Sequence, residues 1–276
     1  MNDKLFSLEV DNEYIHGIIH KPEIPFTKAI VFLHGWGGHR TGPHDMFVKF
    51  SRKLTDLGYL CLRFDFRGKG FSGSMGYNAT NRSMLEDIEV ILRYVKNSCG
   101  IDDISIVGIC SGAKLGLYYS LNGDITVNNF VCLSSAPLRP VDNPQSVAVR
   151  KTVVGFREYI SKLFYRETWA KIFKNEVDYK TIIYSFLNPF KAKKTKVKSA
   201  RTDRNNVIKG KNISGKVLII NGGKDTETPE TVKQVEALMR KYDIDFSTYI
   251  IAGANHSFYS ILWEQEIMNI MGKWFS

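Results

Sequence analysis

Short apolar runs alternate along this chain with polar stretches whose apolar residues recur every three or four positions, a pattern that predicts buried strands alternating with amphipathic helices. Two β-rich stretches open it, LFSLEV (5–10) and YIHGIIHKP (14–22), with Asp11-Asn12 as the turn between them. AIVFLHGWGG then reads as a buried strand ending in glycines. Phe47, Phe50, Leu54 and Leu57 predict a helix over 44–57, closed by Gly58. YLCLRFDF is a second buried strand, leading into the glycine-rich RGKGFSGSMG. Leu85, Ile88, Ile91, Leu92 and Val95 predict a helix over 83–95, followed by a strand at 104–109, a helix from Ser111 and a strand at 130–134. After an interruption come a strand at 217–220, a helix at 229–241, a strand at 246–251 and a terminal helix from about Phe258. The strands are apolar enough to be buried on both faces. The fold class expected is therefore α/β, a mostly parallel central sheet flanked by helices.

The interruption, 139–215, has a character of its own. Val153, Phe156, Ile160, Leu163, Phe164, Trp169, Ile172 and Phe173 recur at helical spacing with Lys and Arg between them. From Arg139 to Lys216 the chain carries 19 Lys and Arg against 6 Asp and Glu, so this stretch holds most of the formal net charge of +10. The expected organisation is a core of 1–138 with 216–276 and a basic helical cap (lid) at 139–215, inserted between two strands. Its apolar stripe, with Phe156, Ile160, Phe164 and Trp169 as the candidate substrate-binding residues, would line a pocket. Its lysines and arginines are a solvated outer face or a docking face for an acidic partner. Nucleic acid is not expected, since no reading module or aromatic platform accompanies the charge.

No apolar run is long enough to span a bilayer, and MNDKLFSLEVDNEY lacks the features of a signal peptide, so a cytoplasmic protein is expected. The four cysteines show neither metal nor disulfide spacing. Cys61 and Cys132 sit in strands as small core residues, and Cys99 lies at a helix-ending turn. His39 and His44 lack further ligands, and neither metal nor cofactor is expected.

Cys110 has the unusual address. Gly108-Ile109-Cys110-Ser111-Gly112 has the form G-x-nucleophile-x-G at a strand-to-helix junction, where a sharp turn leaves no room for side chains two residues before and after. Position 110 is the one flanked symmetrically. Ser111 would present its backbone N–H to a developing oxyanion, although its hydroxyl is the alternative nucleophile.

Here the chain resembles the α/β-hydrolase superfamily, in particular its cap-bearing esterase and serine-aminopeptidase-like branch. His34-Gly35-Trp36-Gly37-Gly38 is similar to that family's oxyanion loop, and Asp65-Phe66-Arg67-Gly68-Lys69-Gly70-Phe71-Ser72 to its D-x-R-G-x-G-x-S loop. Asn221 to Pro229 (NGGKDTETP) looks like the loop that supplies the acid, and Gly253 to Phe258 (GANHSF) like the one that supplies histidine. The order nucleophile, acid, histidine matches as well. The departure is cysteine at the elbow, a feature in which the chain is similar to dienelactone hydrolases, polyhydroxyalkanoate synthases and some exosortase-associated hydrolases.

The resemblance implies Cys110, His256 and Asp225 as catalytic residues, with backbone N–H groups of Trp36 and Ser111 as the oxyanion hole, each donor worth roughly 3–4 kcal/mol where such holes have been dissected. An ordinary thiol is only about a few per cent thiolate at neutral pH. The positive end of the helix starting at Ser111 and the imidazole of His256 both favour the anion. The expected function is hydrolysis of an ester or thioester, carried free, on coenzyme A or on an acyl carrier protein, through a thioacyl enzyme. Acyl transfer through the same Cys110 intermediate and a non-catalytic binding protein are the alternatives. Peripheral contact with an anionic membrane is a further role for the basic segment. Asp243 or Asp245 could replace Asp225 as the carboxylate. His34 is expected to support its loop, His39 and His44 to lie at the pocket rim, His16 and His20 to face outward, and Asp65 and Arg67 to brace neighbouring loops. Nothing in the sequence assigns a role to Lys114.

Overall fold

Asp11 and Asn12 both take left-handed backbone, with φ of 53° and 62°. A two-residue turn of that hand matches the twist of its flanking strands. It folds β1 (Asn2–Val10) antiparallel onto β2 (Glu13–Lys21), with Val10 opposite Glu13. The computed structural model describes residues 2–72, 79–138 and 212–276. The proposed lid, with Phe156, Ile160, Phe164 and Trp169, lies outside the described residues except for its last few positions, 212–215, where Ile213 is buried and bridges to Val127 of the core.

The remaining strands and helices alternate as their patterns predict. They are β3 (Lys28–Leu33), α1 (Met46–Asp56), β4 (Tyr59–Phe64), α2 (Asn81–Cys99), β5 (Asp103–Ile109), α3 (Ser111–Asn122) and β6 (Phe130–Leu133). After the undescribed stretch come β7 (Val217–Gly222), α4 (Thr228–Lys241), β8 (Phe246–Ile251) and α5 (Ile261–Phe275). One eight-stranded sheet results, in the order β1-β2-β4-β3-β5-β6-β7-β8. Pairings from β4 onward are parallel, and those of β2 with β1 and β4 are antiparallel.

Alternate residues of each central strand feed two cores. Val31, Leu33, Ile104, Ile106, Cys132 and Ile219 pack with α2, α3 and α4, whereas Ile30, Phe32, Val107, Leu133 and Ile220 pack with α1 and α5. Cys61 and Cys132 are wholly buried in these layers, and burial pushes both thiols up to about 12, where they are inert at physiological pH. α2 is fixed at its start by a capping box between Thr80 and Ser83 and at its end by Gly100 in the left-handed conformation, one residue past Cys99.

Two expectations need correction. α5 begins at Ile261, capped by the Ser260 hydroxyl, and not at Phe258. Phe258 is a buried residue of the preceding turn, at φ 52°, and its N–H donates to Asn255 O. His20 does not face outward. His20 is fully buried, with Nδ1 2.7 Å from Asp3 Oδ1 and Nε2 accepting from Arg63 Nε at 2.9 Å. Burial, aided by the Arg63 charge, lowers its pKa, which matches the neutral ring those partners require. Spacing along a strand gives the face of a residue and not whether that face is covered.

The bracing expected of Arg67 is observed. Its backbone N–H and Nε both donate to the fully buried Asp87 carboxylate, at 2.8 and 2.5 Å, and its terminal nitrogens reach Asp11 and Glu86. Arg67 therefore ties the 65–72 loop to α2 and to the β1–β2 turn.

Candidate active site

β3 and β5 are parallel neighbours with Leu33 opposite Gly108, so the loop after β3 and the turn after β5 emerge side by side at the carboxyl edge of the sheet. Cys110 sits at the start of α3 with φ 55° and ψ −121°, a conformation that costs energy for any residue with a side chain. Its backbone is held from three directions. The N–H donates to Leu133 O at 3.0 Å, and the carbonyl accepts from Ala136 N (3.0 Å) and Lys114 N (3.1 Å). A Cβ on Gly108 would come within 2.7 Å of Ala113 Cα, and one on Gly112 would run into the carbonyls of Leu33 and His34. These are the steric reasons for the glycines two residues either side of Cys110.

The loop 34–38 crosses directly against the cysteine. A Cβ on Gly35 would lie 3.2 Å from Cys110 Cβ and 3.7 Å from its Sγ. Trp36 follows at once in the chain, and Ser111 is the first residue of α3, whose initial N–H groups have no carbonyl partner within the helix. The Ser111 hydroxyl is buried and has no hydrogen-bond partner among the described residues, so His256 does not engage it.

β7 and β8 are likewise parallel neighbours, and their following loops bring acid and imidazole together. Gly222 lies against Ala254 and Asn255, where a Cβ would come within 2.6 Å of their carbonyl oxygens. Lys224 N donates to Ala254 O at 2.8 Å and Gly223 N to Ile251 O at 2.9 Å. Across this seam His256 Nδ1 stands 2.6 Å from Asp225 Oδ2, while Asp225 Oδ1 accepts from Glu227 N at 3.2 Å. Neither alternative carboxylate bonds to His256: Asp243 lies in a left-handed turn, and Asp245 is exposed and paired with Lys216.

Cys110 is the neighbour that most raises the His256 pKa, which Asp225 also raises and burial opposes, bringing it to about 9. Of the three residues expected to work together, Asp225 and His256 share a hydrogen bond, and Cys110 acts on the same imidazole through its charge and proximity.

Surrounding residues tie the neighbouring loops together. His34 is buried, donates through Nδ1 to Gly35 O (2.8 Å) and accepts at Nε2 from Phe66 N–H (3.3 Å). It supports the loop as expected, and burial lowers its pKa to about 4. Its neutral state has a consequence for stability. The unfolded chain takes up this proton near pH 6.5 and the folded protein only near 4, so stability falls as pH drops through that interval. The loss attributable to His34 is about 3 kcal/mol once both states are protonated. Urea midpoints between pH 7 and 4 should show this decline in the wild type and a shallower one in His34→Asn.

Asp65 is the brace its motif suggests, and its partner lies in a different loop. The buried carboxylate accepts from Arg40 N (2.6 Å) and Phe71 N (3.1 Å) and pairs with the Arg40 guanidinium, locking the loops 34–42 and 65–72 together. Arg40 then stacks over Phe71 and Lys69 over Trp36, at 4.7 and 4.4 Å from the ring centroids. His44 meets the ring of Tyr259, three residues beyond His256. Pairings between distant loops of this kind leave no periodic trace in a sequence. Among the described residues no group of three or more His, Cys, Asp or Glu could hold a metal ion, and no helix is long and apolar enough to cross a membrane.

Comparison with known proteins agrees with this architecture. No curated protein sequence matches. Among solved structures the chain is similar to the esterase Pf2001 of Pyrococcus furiosus, at 18% identity and TM-score 0.65, covering 99% of this chain and 90% of that one. It is also similar to Est1E from Butyrivibrio proteoclasticus, solved with ferulic acid, at 16% identity and TM-score 0.60, covering 97% and 98%. A dienelactone hydrolase from Anabaena variabilis aligns at 14% identity and TM-score 0.59, covering 99% and 96%. These likenesses concern the fold. A model of the alpha/beta hydrolase fold family matches residues 28–256, which span the oxyanion-loop motif through His256, and the chain belongs to that family.

Proposed function

We propose that this protein hydrolyses a carboxylic ester or thioester through a Cys110 thioacyl intermediate, with His256 as proton carrier and Asp225 holding its ring. The observation that carries this is the hydrogen bond between Asp225 and His256, with a cysteine at the strained elbow as the neighbour that most raises the pKa of that imidazole. With its pKa near 9, His256 holds a proton at neutral pH, and the nucleophile in the reaction is the Cys110 thiolate. The thiolate attacks the acyl carbon. The carbonyl oxygen takes the negative charge beside the N–H groups of Trp36 and Ser111. Collapse breaks the bond to the leaving group, which departs with the proton from His256. The imidazole, now neutral, accepts a proton from water, the resulting hydroxide equivalent attacks the thioester, and Cys110 leaves as thiolate beside a reprotonated His256. Asp225, bonded to Nδ1, keeps Nε2 directed at the sulfur throughout. The basic stretch 139–216 supports an anionic carrier as the leaving group, such as coenzyme A or an acyl carrier protein.

Incubation with a panel of acyl esters and thioesters, followed by intact-mass measurement, tests this. An added acyl mass is expected in the wild type and absent in Cys110→Ala. Its decay in water alone identifies a hydrolase. Decay only with an added nucleophile identifies an acyltransferase, and no adduct with no turnover identifies a binding protein.

The His256 pKa gives a second expectation. For an alkyl ester, whose leaving group must be protonated, kcat/KM should fall as pH rises through about 9, because deprotonated His256 has no proton to give. An aryl thioester, whose leaving group departs as an anion, should lose much less over the same range. Equal alkaline limbs for both would contradict the role of His256 as acid.

A further inference from the structure

Three wholly buried polar side chains, on or beside β6, β7 and α4, are without protein partners among the described residues. Neither Asn221 Oδ1 nor Nδ2, nor Ser134 Oγ, nor Thr231 Oγ1 makes a hydrogen bond among the described residues. All three residues are at most 1% exposed.

The topology places them together. Residues 217, 219 and 221 of β7 share one face, and Val217 and Ile219 pack there with Val235 and Met239 of α4. Thr231 extends the Val235–Met239 stripe by one turn toward the start of α4, as Asn221 extends the strand's stripe toward its end. Ser134 follows β6, and its N–H donates to Ile220 O at 2.8 Å, which sets it beside Asn221. The region is closed by Thr228 Oγ1, which donates to Gly222 O at 2.8 Å, and by Leu138 N, which donates to Gln234 Oε1 at 2.9 Å.

Buried amides and hydroxyls of folded proteins are nearly always bonded to protein or to ordered water. An asparagine amide alone offers two donors and an acceptor oxygen, and a buried water needs two to four polar partners. We propose that Asn221, Ser134 and Thr231 form an internal hydration site, occupied by one or two ordered water molecules, on which the acid-bearing loop after β7 and the first turn of α4 are seated. The site is distinct from the Asp225–His256–Cys110 line and does not depend on the reaction assigned to it.

A crystal structure of the wild-type protein should show density within about 3 Å of at least two of the three side chains. Direct bonds among those side chains, or an empty gap, would overturn the proposal. In solution, oxygen-17 magnetic relaxation dispersion should detect long-lived internal water in the wild type, and that contribution should shrink in Thr231→Val, which keeps the shape and removes the hydroxyl. Asn221→Leu is the stronger form of the same test. Thr231→Val carries it if the leucine variant does not fold. A dispersion unchanged in a folded variant would count against the site.

Discussion

Replacing Cys110 by alanine should reduce kcat/KM on an ester or thioester by about 10⁴-fold or more, while Ser111→Ala should change it by no more than about tenfold. The contrast follows from where the imidazole points. Cys110 is the neighbour that most raises the His256 pKa, and the Ser111 hydroxyl is buried with no partner among the described residues, so the proposed mechanism requires only the backbone N–H of Ser111. Cys110→Ser is the more telling change. Serine fits the strained elbow, but its hydroxyl stays protonated, so His256 must remove the proton during attack and must itself begin neutral. The interaction that most raises the His256 pKa would be gone as well. Activity should drop by about 10²- to 10³-fold, and the falling limb at high pH should give way to one that rises with pH as the imidazole deprotonates. Steady-state kinetics over pH 5–10 would separate the three variants. A serine variant as active as the wild type with the same pH profile would show that the sulfur anion is not what the site is built around.

Much of this site is legible in the sequence alone. Gly108 and Gly112 stand in a motif whose spacing follows from a turn too tight for side chains, and Asp225 and His256 are indicated by the resemblance of their loops to those of the α/β-hydrolase family. The strands are legible for a related reason, since β3 to β7 are buried on both faces and write continuous apolar runs. What stays hidden depends on contacts between distant parts of the chain. His20 has the spacing of an outward residue, yet it is fully buried and Arg63 supplies its partner. Asp87, on the buried side of α2, reads as an imperfection in an amphipathic stripe until Arg67 is seen to reach it. Asn221 looks like part of the acid-loop motif, whereas it points into the sheet–helix interior. Each of these polar residues is fixed by a tertiary partner or by solvent inside the fold. Propensity and periodicity carry no information about either.

Gly112→Ala should cost about 4 kcal/mol of stability, above the roughly 1–3 kcal/mol usual for an overpacked core. The added methyl would meet the carbonyl groups of Leu33 and His34, main-chain atoms of a central strand and the loop leaving it. A flexible side chain could swing aside, but these atoms move only if β3 and α3 separate. β3 is paired on both edges, with β4 and β5, which leaves the helix as the element that shifts. Moving α3 carries Cys110 and the Ser111 N–H away from Trp36 and His256, so activity should be lost even in protein that remains folded. Gly272→Ala is the matched control, because a Cβ there meets nothing within 4 Å and replaces a helical glycine by a better helix former. Urea denaturation should show a large drop in midpoint for Gly112→Ala and an unchanged or raised one for Gly272→Ala. If Gly112→Ala were as stable and as active as the wild type, the close seat of α3 against β3, and with it the placement of the sulfur, would have to be abandoned.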